Sequence, residues 1–147
     1  MDSLRTLFQD YIAYAGQLRE ETASVKSVLG LRDREIYDSG HKTFDRGVAD
    51  WVSAFAKTSP SQEDLLEALD ILLFSALGYE GRSPYWYLCA VQRHAVLLIP
   101  LLNEDSKAKL LERFEARYPK GQRLPIQNDI FNQLSGGRKK WCLFSRR

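Results

Sequence analysis

Residues 84–102, PYWYLCAVQRHAVLLIPLL, form the most apolar stretch of the chain, and their three strongly polar side chains are consecutive: Gln92, Arg93 and His94. On a wheel at 100° per residue, Pro84, Tyr87, Leu88, Val91, Ala95, Leu98, Ile99 and Leu102 share one broad apolar face, which predicts a central helix. Arg93 points the other way, yet Trp86, Cys89, Ala90, Val96 and Leu97 around it are apolar as well. The helix is therefore either covered on both faces or presents an Arg93-centred apolar surface to something else. If it is covered, the polar trio is an edge that reaches solvent, or Arg93 is neutralised by a carboxylate from a neighbouring helix, because a buried unpaired charge is too costly to persist. If it is not, Arg93 can hold an anionic group of a partner against the Trp86 ring. A membrane span is not expected: Arg93 would lie near mid-bilayer at a cost of about 2.5–3.5 kcal/mol, and Gln92 and His94 would add to it.

Five other segments carry helical patterns. Leu4, Phe8, Tyr11, Ala15, Leu18, Thr22, Val25 and Leu29 recur at spacings of four and three, and predict a helix from Ser3, as N-cap, to a stop at Gly30. A second helix, 32–57, carries Tyr37, His41, Phe44, Val48, Trp51 and Phe55 on its seam, so the chain is expected to open with a long antiparallel hairpin. Gly40 and Gly47 weaken that helix by roughly 1 kcal/mol each relative to alanine, which marks Ser39–Gly40 as a candidate break. Ser59 before Pro60 predicts the start of a third helix running to about residue 77, and Ser83 before Pro84 starts the fourth in the same way. The fourth ends or kinks at Pro100. Asn103 caps a fifth, with Leu110, Leu111, Phe114 and Tyr118, that Pro119 closes. Pro125 starts a short sixth with Ile126, Ile130, Phe131 and Leu134, and Ser135, Gly136 and Gly137 are read as its stop. No segment alternates with period two over a useful length, so the expected fold class is all-α: a single-domain bundle of about six helices over residues 1–134, followed by a tail over 135–147.

At 147 residues, with 44% hydrophobic and 27% charged side chains, the chain can bury a core without disulfides or metal. Its two cysteines, Cys89 and Cys142, show no CxxC and no ligand spacing, so reduced thiols are expected. The opening MDSLRTLFQDY has no basic region followed by an apolar one, and a cytoplasmic protein is the expectation. The net charge of +2 conceals an asymmetry: residues 1–117 carry 14 basic against 18 acidic side chains, and residues 118–147 carry 7 against 1. Such an end favours an acidic or mixed partner surface, whether protein, nucleic acid or the acidic body of the molecule itself.

Candidate chemistry is sparse. Asp38, His41 and Asp45 lie at i, i+3 and i+7, with Glu35 a turn earlier, a pattern that could hold a divalent metal or an acid–base pair. The plainer reading has His41 half-buried on the seam and satisfied by a rim carboxylate, so no metal or cofactor is expected. Cys89 and His94 diverge by 140° on a helix and do not form a nucleophile–base pair. There is no GxGxxG, GxxxxGK, GxSxG or HExxH. From Tyr118 to Lys140 the chain resembles a loose helix-turn-helix, with Gln127, Asn128 and Gln133 able to read adenine edges and Lys120, Arg123, Arg138, Lys139 and Lys140 able to meet phosphates. Against this, the connection from Pro119 to Leu124 is long and Asp129 sits in the helix.

The expected function is non-catalytic protein binding, of the immunity, inhibitor or adaptor type. Its contact residues would be Trp86 and Arg93 together with Arg138, Lys139, Lys140, Trp141 and Phe144. Nucleic-acid binding through the sixth helix and the basic tail is the rival expectation, and a metal-dependent enzyme on the second helix is the third. Truncation after Gly137 is expected to leave the helical core folded by circular dichroism while weakening partner binding; a truncated chain that keeps its partner and loses only salt-sensitive affinity for nucleic acid would favour the rival.

Overall fold

The computed structural model describes the backbone of residues 1–23, 30–82 and 84–144, and the side chains of 1–17, 39–82 and 84–136. It is all-helical, with α1 (Asp2–Ala23), α2 (Gly30–Ala56), α3 (Gln62–Phe74), α4 (Tyr85–Ala90), α5 (Glu104–Arg117) and α6 (Pro125–Phe144). Two 3-10 segments, Val91–Leu97 and Ile99–Leu101, lie between α4 and α5. No strand occurs among the described residues, and no helix among them is long and apolar enough to cross a membrane.

Contacts between α1 and α2 run in opposite order along the two helices. The Trp51 indole donates to Ser3 Oγ at 2.8 Å, Phe44 stacks on Tyr11 and meets the edge of Phe8, and Gly47 and Gly40 face Leu7 and Tyr14. Ser3 is therefore an acceptor inside α1 rather than its cap. Residues 24–29, where the connecting turn is expected, lie outside the described residues. No break occurs at Ser39–Gly40. A Cβ at Gly40 would fall 2.2 Å from Tyr14 Cε1, so glycine there lets the two helices approach, and its helix cost of roughly 1 kcal/mol is offset by packing.

Capping departs from expectation at α3. Ser59 has φ 52, a left-handed conformation that cannot serve an N-cap, and Ser61 caps instead by accepting from Asp64 N at 3.1 Å. Asn103 does cap α5, through Oδ1 to Ser106 N at 2.8 Å. Ser83 lies outside the described residues. At the other end α6 runs through Ser135, Gly136 and Gly137 to Phe144. The Ser135 hydroxyl donates back to the Phe131 carbonyl, and Gly136 does not take the left-handed conformation of a glycine stop.

The central apolar segment is not one α-helix. Only Tyr85–Ala90 is α-helical; beyond it Leu98 N bonds Ala95 O at 2.9 Å and Leu101 N bonds Leu98 O at 3.0 Å, both i to i−3. Pro100 lacks the amide that would reach Val96 O, and its ring clashes with that carbonyl in an α-helix. Along this stretch Leu88, Cys89, Val91, Gln92, Ala95, Leu98, Ile99 and Leu102 are buried. The segment Val91–Leu97 touches α2, α3 and α6, which puts it at the middle of the core. Around it pack Leu65, Leu69, Leu72, Leu110, Phe114 and Ile130.

Gln92 is fully buried rather than an edge that reaches solvent. Its Nε2 donates to Leu73 O at 3.1 Å and to Tyr118 Oη at 3.0 Å, and its Oε1 accepts from Gln127 Nε2 at 3.2 Å. Tyr118 Oη donates to Leu73 O as well. Gln127 is completed by Cys89 Sγ at 3.7 Å and by Leu124 N at 3.0 Å to its Oε1. Leu73 O belongs to the last turn of α3, where carbonyls have no helical partner, so the network supplies one.

In urea denaturation, Leu98→Ala is expected to cost about 2–5 kcal/mol. Gln92→Leu, although apolar and of similar size, is expected to cost about 2 kcal/mol or more because it leaves the buried Gln127 amide with only the weak Cys89 sulfur as acceptor and removes a donor from Tyr118 and Leu73 O. A neutral Gln92→Leu would show that the network contributes nothing net.

Candidate interaction surface

Most of the large apolar side chains of the central segment are inside, but Trp86, Val96, Leu97 and Leu101 are 62%, 38%, 53% and 42% exposed. They follow from the local geometry: one side of α4 and the 3-10 turns packs on α2, α3 and α6, and residues 86, 93, 96, 97 and 101 recur on the other. Half-exposed Arg93 interrupts the stripe. Among the described residues this side is left exposed, while Arg93 itself is paired with a carboxylate of a neighbouring helix.

Arg93 is held in place from two directions. Nη1 donates to Ala90 O at 2.9 Å and Nη2 to Asp45 Oδ2 of α2 at 2.6 Å. The other oxygen of Asp45 lies 2.9 Å from His94 Nε2. Because an ionised carboxylate only accepts, Nε2 is the protonated nitrogen in this contact. Partial burial works to raise the Asp45 pKa, but the hydrogen bonds from His94 and Arg93, together with their charges, outweigh it and hold the carboxyl below its ordinary range. Asp45 thus orients the one cation of the stripe and fixes the neighbouring imidazole.

Of the constellation read on α2, the side chains of His41 and Asp45 are described. Asp45 turns to Arg93 and His94, and half-buried His41 packs its ring 4.5 Å from that of Tyr87. The side chains of Glu35 and Asp38 lie outside the described residues. Among the described residues no three His, Cys, Asp or Glu side chains gather as a metal would require. Burial pushes the Cys89 thiol up, which keeps it a protonated core side chain and not a nucleophile. Burial likewise raises the Tyr118 phenol, far above its ordinary value.

The nucleic-acid residues are divided. Asn128, Gln133 and Lys120 are exposed, but Gln127 is buried in the Gln92 network and cannot reach a base edge. Arg123 lies over the Phe131 ring at 4.1 Å and donates from Nε to Tyr118 O at 2.7 Å. Arg138, Lys139, Lys140, Trp141 and Phe144 belong to the backbone of α6, and their side chains lie outside the described residues.

Sequence reasoning missed Asp45 as the partner of Arg93, because helical periodicity relates residues within one segment and Asp45 comes from another. It missed the buried pair Gln92 and Gln127 for a different reason. Grouped with Arg93 and His94 as one polar cluster, Gln92 reads as an edge, yet on the wheel it adjoins the buried side next to Ile99. No protein family, curated protein or solved structure matches this chain.

The Asp45 pKa is lower folded than unfolded, so its stabilising contribution is present above the unfolded value of about 3.9 and is lost as pH falls through the lower folded value. Asp45→Asn is accordingly expected to cost about 1–3 kcal/mol at pH 7, with the difference from the native chain shrinking below about pH 4. Denaturation curves of both proteins from pH 7 to pH 2.5 check this; a pH-independent difference would refute the electrostatic account.

Proposed function

We propose that the chain is a non-catalytic, cytoplasmic protein-binding domain of the immunity, inhibitor or adaptor type. Its principal contact is the stripe formed by Trp86, Arg93, Val96, Leu97 and Leu101. The observation that carries this reading is the exposure of Trp86 and three large aliphatic side chains along one side of the central segment, with an oriented arginine between them. Tryptophan and arginine are the residue types that most often dominate binding energy at protein interfaces, and clustered apolar exposure is characteristic of contact surfaces. An extended 3-10 run within a helical segment is itself unusual and recurs at functional positions. The basic end of α6, with Arg138, Lys139, Lys140, Trp141 and Phe144, is a second contact in this proposal, suited to an acidic, partly apolar partner.

Nucleic-acid binding stands as the second reading, through Lys120, Asn128, Gln133 and the same basic end. Exposure of the first three supports it, and burial of Gln127 weighs against it.

Affinity capture from the native host, with mass spectrometry of bound protein and nucleic acid, tests the proposal using the native chain, Trp86→Ala and Leu97→Glu. Expected is a protein partner whose recovery falls at least roughly tenfold in both variants while their thermal melting stays near native. Undiminished recovery in both variants, or capture of nucleic acid alone with a steep salt dependence, would overturn it.

A further inference from the structure

We propose that the occupant of the stripe is a second copy of this chain, packed across a two-fold axis that passes beside Arg93. This rests on the protein-binding reading of the same surface and names its partner. Arg93 and His94 stand at the midpoint of the run from Trp86 to Leu101, seven residues from each end. Trp86 lies about 12 Å along the segment from Arg93 and Leu101 about 16 Å beyond it, from rises of about 1.5 Å per α-helical and 2.0 Å per 3-10 residue. Exposed apolar groups therefore flank the charges, Trp86 on one side and Val96, Leu97 and Leu101 on the other.

A two-fold rotation about that centre brings Trp86 of one copy over Leu101 of the other, and returns the charged middle onto itself. An isologous interface uses the same patch twice and must be self-complementary. The centre of this patch carries both signs: the half-exposed Arg93 guanidinium and the Asp45 carboxylate 2.6 Å from it. Rotated onto itself, it sets each Arg93 beside the Asp45 of the other copy. Arg93 uses only Nη1 and Nη2 in its internal bonds, and a guanidinium has five N–H donors, so it can serve both carboxylates at once. A patch holding one cation and one anion does not select a strongly acidic or basic partner. It matches a surface with the same apolar ends and the same paired charges, which this chain itself displays. One stripe of a single helical segment is at the small end of stable interfaces, so the dimer is weak and concentration-dependent.

Sedimentation velocity of the full chain from about 1 to about 500 µM reads the association directly. Expected is a reversible monomer–dimer equilibrium that Leu97→Glu, at an exposed position with no demand on the fold, weakens at least roughly tenfold. Arg93→Glu leaves two carboxylates at the centre and Asp45→Lys leaves two cations. Each alone is expected to dimerise less than the native chain, and their equimolar mixture to associate more strongly than either. A purely internal ion pair would not produce that recovery on mixing.

Native chain that stays monomeric throughout, or a dimer that Leu97→Glu leaves intact, overturns the inference. If the native chain is monomeric but a different protein is captured in a Trp86- and Leu97-dependent way, the second-copy inference fails and the protein-binding reading stands. If neither self-association nor capture depends on these residues, both fail. Should Arg93→Glu or Asp45→Lys melt far below native, Leu97→Glu decides alone.

Discussion

The carboxamide of Gln92 is the constraint on which the rest of the arrangement depends. It is fully buried, and its two polar atoms are engaged by three parts of the chain: Nε2 by Leu73 O at the end of α3 and Tyr118 at the end of α5, and Oε1 by Gln127 in the first turn of α6. An apolar side chain there would tolerate sliding of these elements by a fraction of a turn. Buried amides do not, since a displaced hydrogen bond leaves its donor stranded where water cannot replace the partner. The network therefore fixes which turn of the 3-10 segment meets which turn of α6, and α6 in turn positions the basic end of the chain.

The same segment explains why an apolar surface remains exposed. Leu88, Cys89, Val91, Gln92, Ala95, Leu98, Ile99 and Leu102 are turned inward. A stretch this apolar has more hydrophobic side chains than one face can absorb, so Trp86, Val96, Leu97 and Leu101 are left outside. Core and contact surface are two sides of one short stretch of chain, and the hydrogen-bonded inner side gives the outer side a rigid backing.

Charge is used sparingly within this frame. Asp45 answers the Arg93 guanidinium and the His94 imidazole of the central segment with one carboxylate. Elsewhere two ion pairs tie neighbouring helices at the surface, Arg5 to Glu67 between α1 and α3 and Arg113 to Asp70 between α3 and α5. Arg113 and Arg117 both lie over the Phe74 ring, which covers an aromatic that would otherwise meet water. Exposed pairs of this kind contribute little to stability. Their effect is to keep polar groups over the core where these helices meet.

Helical periodicity by itself determined the all-α class, the number of helices, the cap at Asn103, the start of α6 at Pro125 and the inward side of residues 84–102, because each of these follows from local spacing and backbone chemistry. It did not determine the 3-10 register of that stretch, the cap at Ser61, the continuation of α6 through Gly136 or the burial of Gln127. The proline after Ser59 points to that serine as the cap, and the left-handed turn there leaves the role to Ser61. Arg93 had a readable direction but no readable partner. Its carboxylate comes from residue 45, 48 positions earlier, and such a pairing is set by how two helices cross, a property of tertiary packing that no single segment encodes.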